Sequence, residues 1–217
     1  HKPFLYQLVS SQLDMDRMDY LNRDSFYTGV SEGHIGSGRI IEMLNVHDGQ
    51  LVLEEKGIYS IEKFITARRL MYWQVYLHKT VVSAENILIF ALRRAKQLVR
   101  SNHQVFASPA LQYFLQNDVT TADFETKEKV LENFIQLDDF DIMGALKVWQ
   151  FDSDTILADL SRRIVERKLF KITFSKTPFE AGLIEEKRKM IAEKLQITFD
   201  EASYYVMSDK LVNNAYS

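Results

Sequence analysis

The chain from Asp14 to Asp24 is rich in groups that can do chemistry, with Asp16, Arg17, Asp19, Tyr20 and Arg23 between the two end residues. A helix brings residues four apart onto one face, so Asp16, Tyr20 and Asp24 form a row with Arg17 beside it. Leu13, Met18 and Leu21 can hold such a helix against a core while the polar row looks into a cavity. Carboxylates next to a guanidinium and a phenol suit a metal or a phosphate. Further on, Arg68, Tyr72 and Tyr76 also recur every four residues. A planar positive fork beside two phenol rings can grip a phosphate tail and pack against a sugar. Taken alone, the same row is better read as a tyrosine-rich core stripe with a surface arginine. A third cluster gathers Arg162, Arg163, Arg167, Lys168 and Lys171. At a helix C-terminus the dipole favours such cations without any further role.

These groups have to be carried by helices. Residues from about Phe4 to Asp24 read as one helix, followed by a loop punctuated by Gly29, Gly33, Gly36 and Gly38 and a short helix over Arg39–Leu44. Val46-His47-Asp48-Gly49-Gln50 reads as a hairpin tip between two short strands, because Asp-Gly suits a tight turn. His47-Asp48 is therefore read as turn chemistry, not as a ligand pair. Helices follow over Ser60–Lys79, Val81–Arg100, Ser108–Leu115, Asp123–Gln136, Asp139–Gln150 and Ser153–Lys168. Leu169–Phe174 alternates like a strand, Glu180–Leu195 is a charged helix, and Tyr204–Met207 through Ala215 reads as strand and turn. The expected class is mainly α: a helical body over residues 1–150 with a small β hairpin, then a small α+β lobe over 151–217.

The chain has 217 residues, of which 46% are hydrophobic and 12% aromatic, enough for a packed core. A formal net charge of −3 speaks against a surface built for nucleic acid. No cysteine is present, so a thiolate metal site or disulfide framework is excluded, which fits a cytoplasmic setting. No apolar run is long enough to span a bilayer.

QLDMDRMDYLNRD, with Tyr27-Thr28-Gly29 and Gly38-Arg39-Ile40 after it, resembles the HD-domain deoxynucleoside triphosphate triphosphohydrolases. The resemblance implies that Asp16 is the last ligand of a divalent metal otherwise held by a histidine and a His-Asp pair far upstream. It implies that Arg17 and Tyr20 contact substrate phosphate and sugar, and that Asp24 touches the sugar hydroxyl. AR followed by MYWQVYLHK is similar to the family's second substrate helix. There Arg68 would meet the triphosphate and Tyr76 would pack where a ribose carries its extra hydroxyl. Tyr72 stands where relatives often have histidine, and a phenol there cannot become cationic near neutral pH. Arg167-Lys168-Leu169-Phe170-Lys171 resembles a regulatory nucleotide segment formed between subunits, with Arg39 and Lys56 near it, so a nucleotide-stabilised homotetramer is implied. Since the upstream ligands are absent, both ends are expected to be cut and the piece alone to be inactive. The competing expectations are a phosphohydrolase of another nucleotide, an alarmone or a monophosphate, and a non-catalytic nucleotide-binding oligomerisation module.

Overall fold

Residues 2–211 are described by a computed structural model. They are mainly helical, in the order α1 (Pro3–Ser10), α2 (Met15–Thr28), α3 (Ser37–Met43), β1 (Leu44–His47), β2 (Gln50–Leu53), α4 (Ile58–Met71), α5 (Lys79–Arg100), α6 (Pro109–Gln116), α7 (Asp123–Thr126), α8 (Glu128–Gln136), α9 (Asp139–Trp149), α10 (Thr155–Val165) and α11 (Ala181–Leu195). Backbone contacts divide the described residues into two compact units, one of residues 2–81 with 210–211 and one of residues 82–209. The expected boundary after residue 150 falls inside the second unit, where Ala145, Leu146 and Trp149 share one core with Ile156, Leu157 and Leu160.

In the first unit the expected long N-terminal helix is two helices. Asp14 adopts an extended conformation and accepts the Arg17 N–H, so it caps α2 and ends any continuity with α1. At its far end α2 stops on Gly29, whose φ of 71° is the left-handed conformation that glycine takes without a Cβ penalty. Met18 and Leu21 of α2 pack with Ile35, Ile40, Phe64, Ala67 and Met71 to form this unit's core. The hairpin is as expected: His47 pairs with Gln50, and Asp48 and Gly49 both have positive φ, the geometry of a two-residue primed turn.

The expected helix Ser60–Lys79 also departs from a regular one. After α4 the backbone forms a π-helical turn over Tyr72–Tyr76, with the Leu77 N–H reaching back to the Tyr72 carbonyl at 2.8 Å. Such one-turn insertions rotate the residues beyond them relative to a regular helix and are frequent at functional sites.

The second unit is built on α5 and α10 against α6 and α9, with Ile87, Leu111, Leu146, Trp149, Leu157 and Leu160 inside. Capping is explicit here. Ser108 caps α6, Asp138 and Asp141 form a capping box on α9, and Asp154 caps α10. The expected strand Leu169–Phe174 does not form. α10 ends through Arg167 in the left-handed region, at φ 57°, and the chain then continues without regular secondary structure, Leu169 and Phe170 packing on the core. Ser83 Oγ donates to the Phe170 carbonyl at 2.9 Å, so the segment is pinned by side chains. Among the described residues no strand is present to complete a ladder with it, since β1 and β2 pair only with each other. Glu201–Tyr204 is a 3-10 turn where the last strand was expected to start, and the remainder of that expectation, from Val212, lies outside the described residues. Among the described residues after Lys168 the tail holds α11 and a 3-10 turn and no strand. Among the described residues no single helix is long and apolar enough to cross a membrane.

Candidate functional site

Chemistry gathers in the first unit, where α2 and α4 present the two predicted rows. Tyr76 donates from its hydroxyl to Asp24 Oδ2 at 2.8 Å. Its ring meets Tyr72 edge to face at 5.4 Å and Tyr20 at 6.0 Å, so three phenols and a carboxylate form one continuous patch. Burial raises the Tyr76 phenol far above its ordinary range, and the Asp24 carboxylate beside it pushes the same way. Tyr20 is raised too. Burial is the main cause, opposed by the positive charge of Arg68 and, less strongly, of Arg17. The Tyr20 and Tyr76 hydroxyls therefore stay protonated throughout the physiological range.

Arg68 is the unusual member. It is 5% exposed, yet its ordinary partner would be a carboxylate and among the described residues it pairs with none. Nη1 donates to Gln12 Oε1 at 2.9 Å, while Nε is buried without a hydrogen-bond partner. A buried guanidinium left with a free donor is costly unless an anion completes it. Arg17 is differently placed. Its Nη1 donates to the Ser11 carbonyl at 2.6 Å and pairs with Asp14, whose carboxylate is almost fully buried.

The structure thus brings together Arg17, Tyr20, Asp24, Arg68, Tyr72 and Tyr76 on one unit. Asp16 stands exposed on the first turn of α2. Among the described residues no three histidine, aspartate or glutamate side chains converge as a metal-holding group, so these residues do not by themselves compose a metal centre. His47 and Asp48 lie 3.4 Å apart at the hairpin tip, 79% and 89% exposed, as turn residues would. Arg39 is exposed on α3, and Lys56 is exposed and pairs with Glu54 at 2.7 Å. In the other unit Arg167 and Lys171 are exposed, while Arg163 stacks over Phe170 at 4.9 Å and Lys168 pairs with Glu166. No unit by itself gathers the four expected regulatory cations.

Asp14 and Gln12 were not anticipated as members. With the helix taken as continuous, Asp14 fell on an ordinary helical surface. The available signal was an aspartate three residues before Arg17 and just after the Ser10-Ser11 pair, which is a cap pattern.

Residues 35–110 match the HD associated region. With the relatives below, this supports an HD-domain family for the chain. The chain is 42% identical over 164 residues to the uncharacterised protein YwfO of Bacillus subtilis, a match spanning 76% of this chain and 36% of that protein. It is 31% identical over 112 residues to the deoxynucleoside triphosphate triphosphohydrolase SAMHD1 homolog of Dictyostelium discoideum, covering 48% of this chain and 22% of the other. A phosphohydrolase crystal structure from Bacteroides thetaiotaomicron superposes with a TM-score of 0.89 at 57% identity, over 94% of this chain and 50% of that one. The chain spans half or less of the length of each of these relatives.

Proposed function

We propose that the chain is part of a phosphohydrolase that cleaves deoxynucleoside triphosphates to deoxynucleoside and triphosphate. The observation that carries this reading is buried Arg68, with an unpaired Nε, beside the phenol patch of Tyr20, Tyr72 and Tyr76. A triphosphate supplies the missing anion. Arg68 and Arg17 hold it by charge-assisted hydrogen bonds, and the Tyr20 and Tyr72 hydroxyls lie beside them. The Tyr76 ring, fixed by its bond to Asp24, closes the space beside the sugar, and the remaining Asp24 oxygen accepts from a sugar hydroxyl. Deoxyribose fits such a wall better than ribose.

The reaction moves a water oxygen onto the α-phosphorus and breaks its bond to the sugar 5′ oxygen, releasing triphosphate. A divalent metal enters this reading through Asp16 alone, and its other donors would come from outside the described residues. Regulation belongs to the same proposal: Arg39, Lys56, Arg167 and Lys171 bind a nucleotide triphosphate across subunits of a cytoplasmic homotetramer. Like charges brought together need an anion between them, so assembly should follow ligand.

A panel of ribo- and deoxyribonucleoside triphosphates, an alarmone and monophosphates, offered to the intact protein, tests the substrate. Turnover confined to deoxynucleoside triphosphates, with triphosphate as product, is expected. Preference for a monophosphate or an alarmone sinks the reading. Solution mass with and without guanosine or deoxyguanosine triphosphate, in the parent and in Arg167→Ala/Lys171→Ala, tests the regulation, and an unresponsive parent removes it.

A further inference from the structure

The turn between α1 and α2 touches both arginines at once. Its Ser11 carbonyl takes Arg17 Nη1 at 2.6 Å, and its Gln12 side chain takes Arg68 Nη1 at 2.9 Å. Asp14 closes the turn. One carboxylate oxygen accepts the Arg17 backbone N–H at 2.7 Å and the other takes the Arg17 guanidinium. Asp14 is 3% exposed and is the one carboxylate residue among the buried polar side chains described. A carboxylate is not taken out of water merely to start a helix, because a serine or asparagine caps as well without a charge to desolvate.

The consequence for Arg17 is geometric. Its Nη1 is committed to two acceptors fixed by backbone and burial, while Nε and Nη2 make no hydrogen bond among the described residues. The guanidinium is thus oriented before any ligand arrives, and a long side chain that would lose rotamer freedom on binding has lost it already. Arg68 is anchored by the same turn, and its unpaired Nε is the second free edge. Charge divides the labour further. Arg17 comes with its own carboxylate, whereas Arg68 carries the uncompensated charge that draws an anion in.

We propose that the Ser11–Asp14 turn is a mount for two phosphate-binding arginines and that Asp14 is the positioning residue for Arg17. This rests on the reading of Arg17 and Arg68 as phosphate contacts, and it assigns the orienting role to a residue that would not itself touch the substrate. The same mount explains why a chain break interrupts what would otherwise be one helix at this place: a continuous helix would have kept the Ser11 carbonyl for its own ladder.

The test is a double-mutant cycle on the intact protein, with binding of inorganic tripolyphosphate followed by calorimetry in the absence of nucleotide. Asp14→Asn retains a good cap, so the helix start survives and circular dichroism should match the parent. Arg17→Ala should weaken binding by roughly tenfold or more, the loss of one charge-assisted contact. Asp14→Asn should weaken it by about fivefold, and Asp14→Asn/Arg17→Ala should bind no worse than Arg17→Ala alone, because nothing is left to position. Multiplying losses in the double variant would mean that Asp14 acts only on the fold. That result overturns the proposal, as does Asp14→Asn binding like the parent, or a parent that binds no tripolyphosphate. If the cycle holds while the substrate panel shows no hydrolysis of deoxynucleoside triphosphates, the reaction assigned above fails and the mount stands.

Discussion

The two units treat buried polarity in opposite ways. The first buries Asp14, Ser25 and Arg68, and leaves Arg68 Nε without a partner. The second buries no charged side chain among the described residues, only Ser83 and Ser161, and its one buried polar atom without a partner is the neutral Ser161 Oγ. Its main ion pair shows the pattern. Arg94 donates to both oxygens of Asp154, at 3.0 and 2.6 Å, and to Glu201 at 3.1 Å, while Asp154 also caps α10. A neutral hydroxyl without a partner costs little beside a buried cation left incomplete, and only the cation has an anion to gain.

The largest effect should come from the centre of the second unit. Trp149 is 1% exposed and its indole N–H donates to the Phe106 carbonyl at 2.8 Å. Trp149→Ala empties that space and orphans the carbonyl, so denaturant unfolding should show a loss of about 3–5 kcal/mol. A loss under about 1 kcal/mol would mean that this core is not the stable half of the comparison.

Substituting the two arginines separates the units more sharply. Arg94→Met leaves Asp154 and Glu201 without their cation, and a loss of about 1.5–3 kcal/mol is expected. Arg68→Met removes a buried charge that has no carboxylate to orphan, so stability should hold or rise while tripolyphosphate binding disappears. Acid titration supplies the sign. Burial pulls the Asp154 carboxyl up, but the Arg94 hydrogen bonds and the Leu157 N–H hold it below its usual 3.8. Glu201 is held below 4.5, first by the Thr198 N–H and then by the Thr198 hydroxyl and Arg94. A carboxyl depressed in the folded state stabilises fully above its unfolded value and stops doing so as pH falls through the folded one. Parent stability should therefore fall as pH drops below about 4.5, and Arg94→Met should flatten that fall. Equal slopes in both proteins would detach the ion pair from acid stability.

A smaller effect is expected where the first unit is tightest. A Cβ on Gly33 would lie 2.5 Å from Met71 Sδ and 2.9 Å from Ser25 Cβ. The methionine end can give way, but Ser25 is tied to the Val30 carbonyl at 2.6 Å. Gly33→Ala should cost about 1–2 kcal/mol by overpacking. Because Met71 precedes the π-helical turn, the substitution should also raise KM more than Arg94→Met does, if the tyrosine patch is the binding surface. Unchanged KM with lowered stability would confine Gly33 to packing.

Much of the helical framework was legible because it follows from local signals. Asp-Gly gave the hairpin, Ser108-Pro109 gave a helix start, and helical spacing gave the long helix α5. Of the residues singled out by type and spacing, Tyr20, Asp24, Arg68, Tyr72 and Tyr76 lie together in the first unit. Three features were not legible. Burial of Asp14 in place of Asp16 depends on where the helix breaks, and a cap competes with helix continuation by only about 1 kcal/mol. The π-helical turn at Tyr72–Tyr76 is a single-residue insertion that periodicity over a short window does not resolve. The strand expected at Leu169–Phe174 had the right alternation, but a strand also needs a neighbour, and that lies beyond what a local pattern can specify.

The smallest effect concerns the hairpin tip of the first unit. His47-Asp48 spells the dipeptide for which HD domains are named, and Asp48 has a positive φ with Gly49 following in the same region. Both side chains are largely exposed and their 3.4 Å approach is a surface contact that salt and water screen. The pair also sits where the two-residue turn demands it, since residues with positive φ are needed between β1 and β2 and aspartate tolerates that better than most. His47→Ala should therefore leave the thermal midpoint, tripolyphosphate binding and metal content of the intact protein unchanged. Gly49→Val should damage the hairpin, because a β-branched side chain at φ 76° is strained. Loss of bound metal in His47→Ala would reverse this assignment. It would move the chemistry of the first unit from the α2–α4 face to the hairpin.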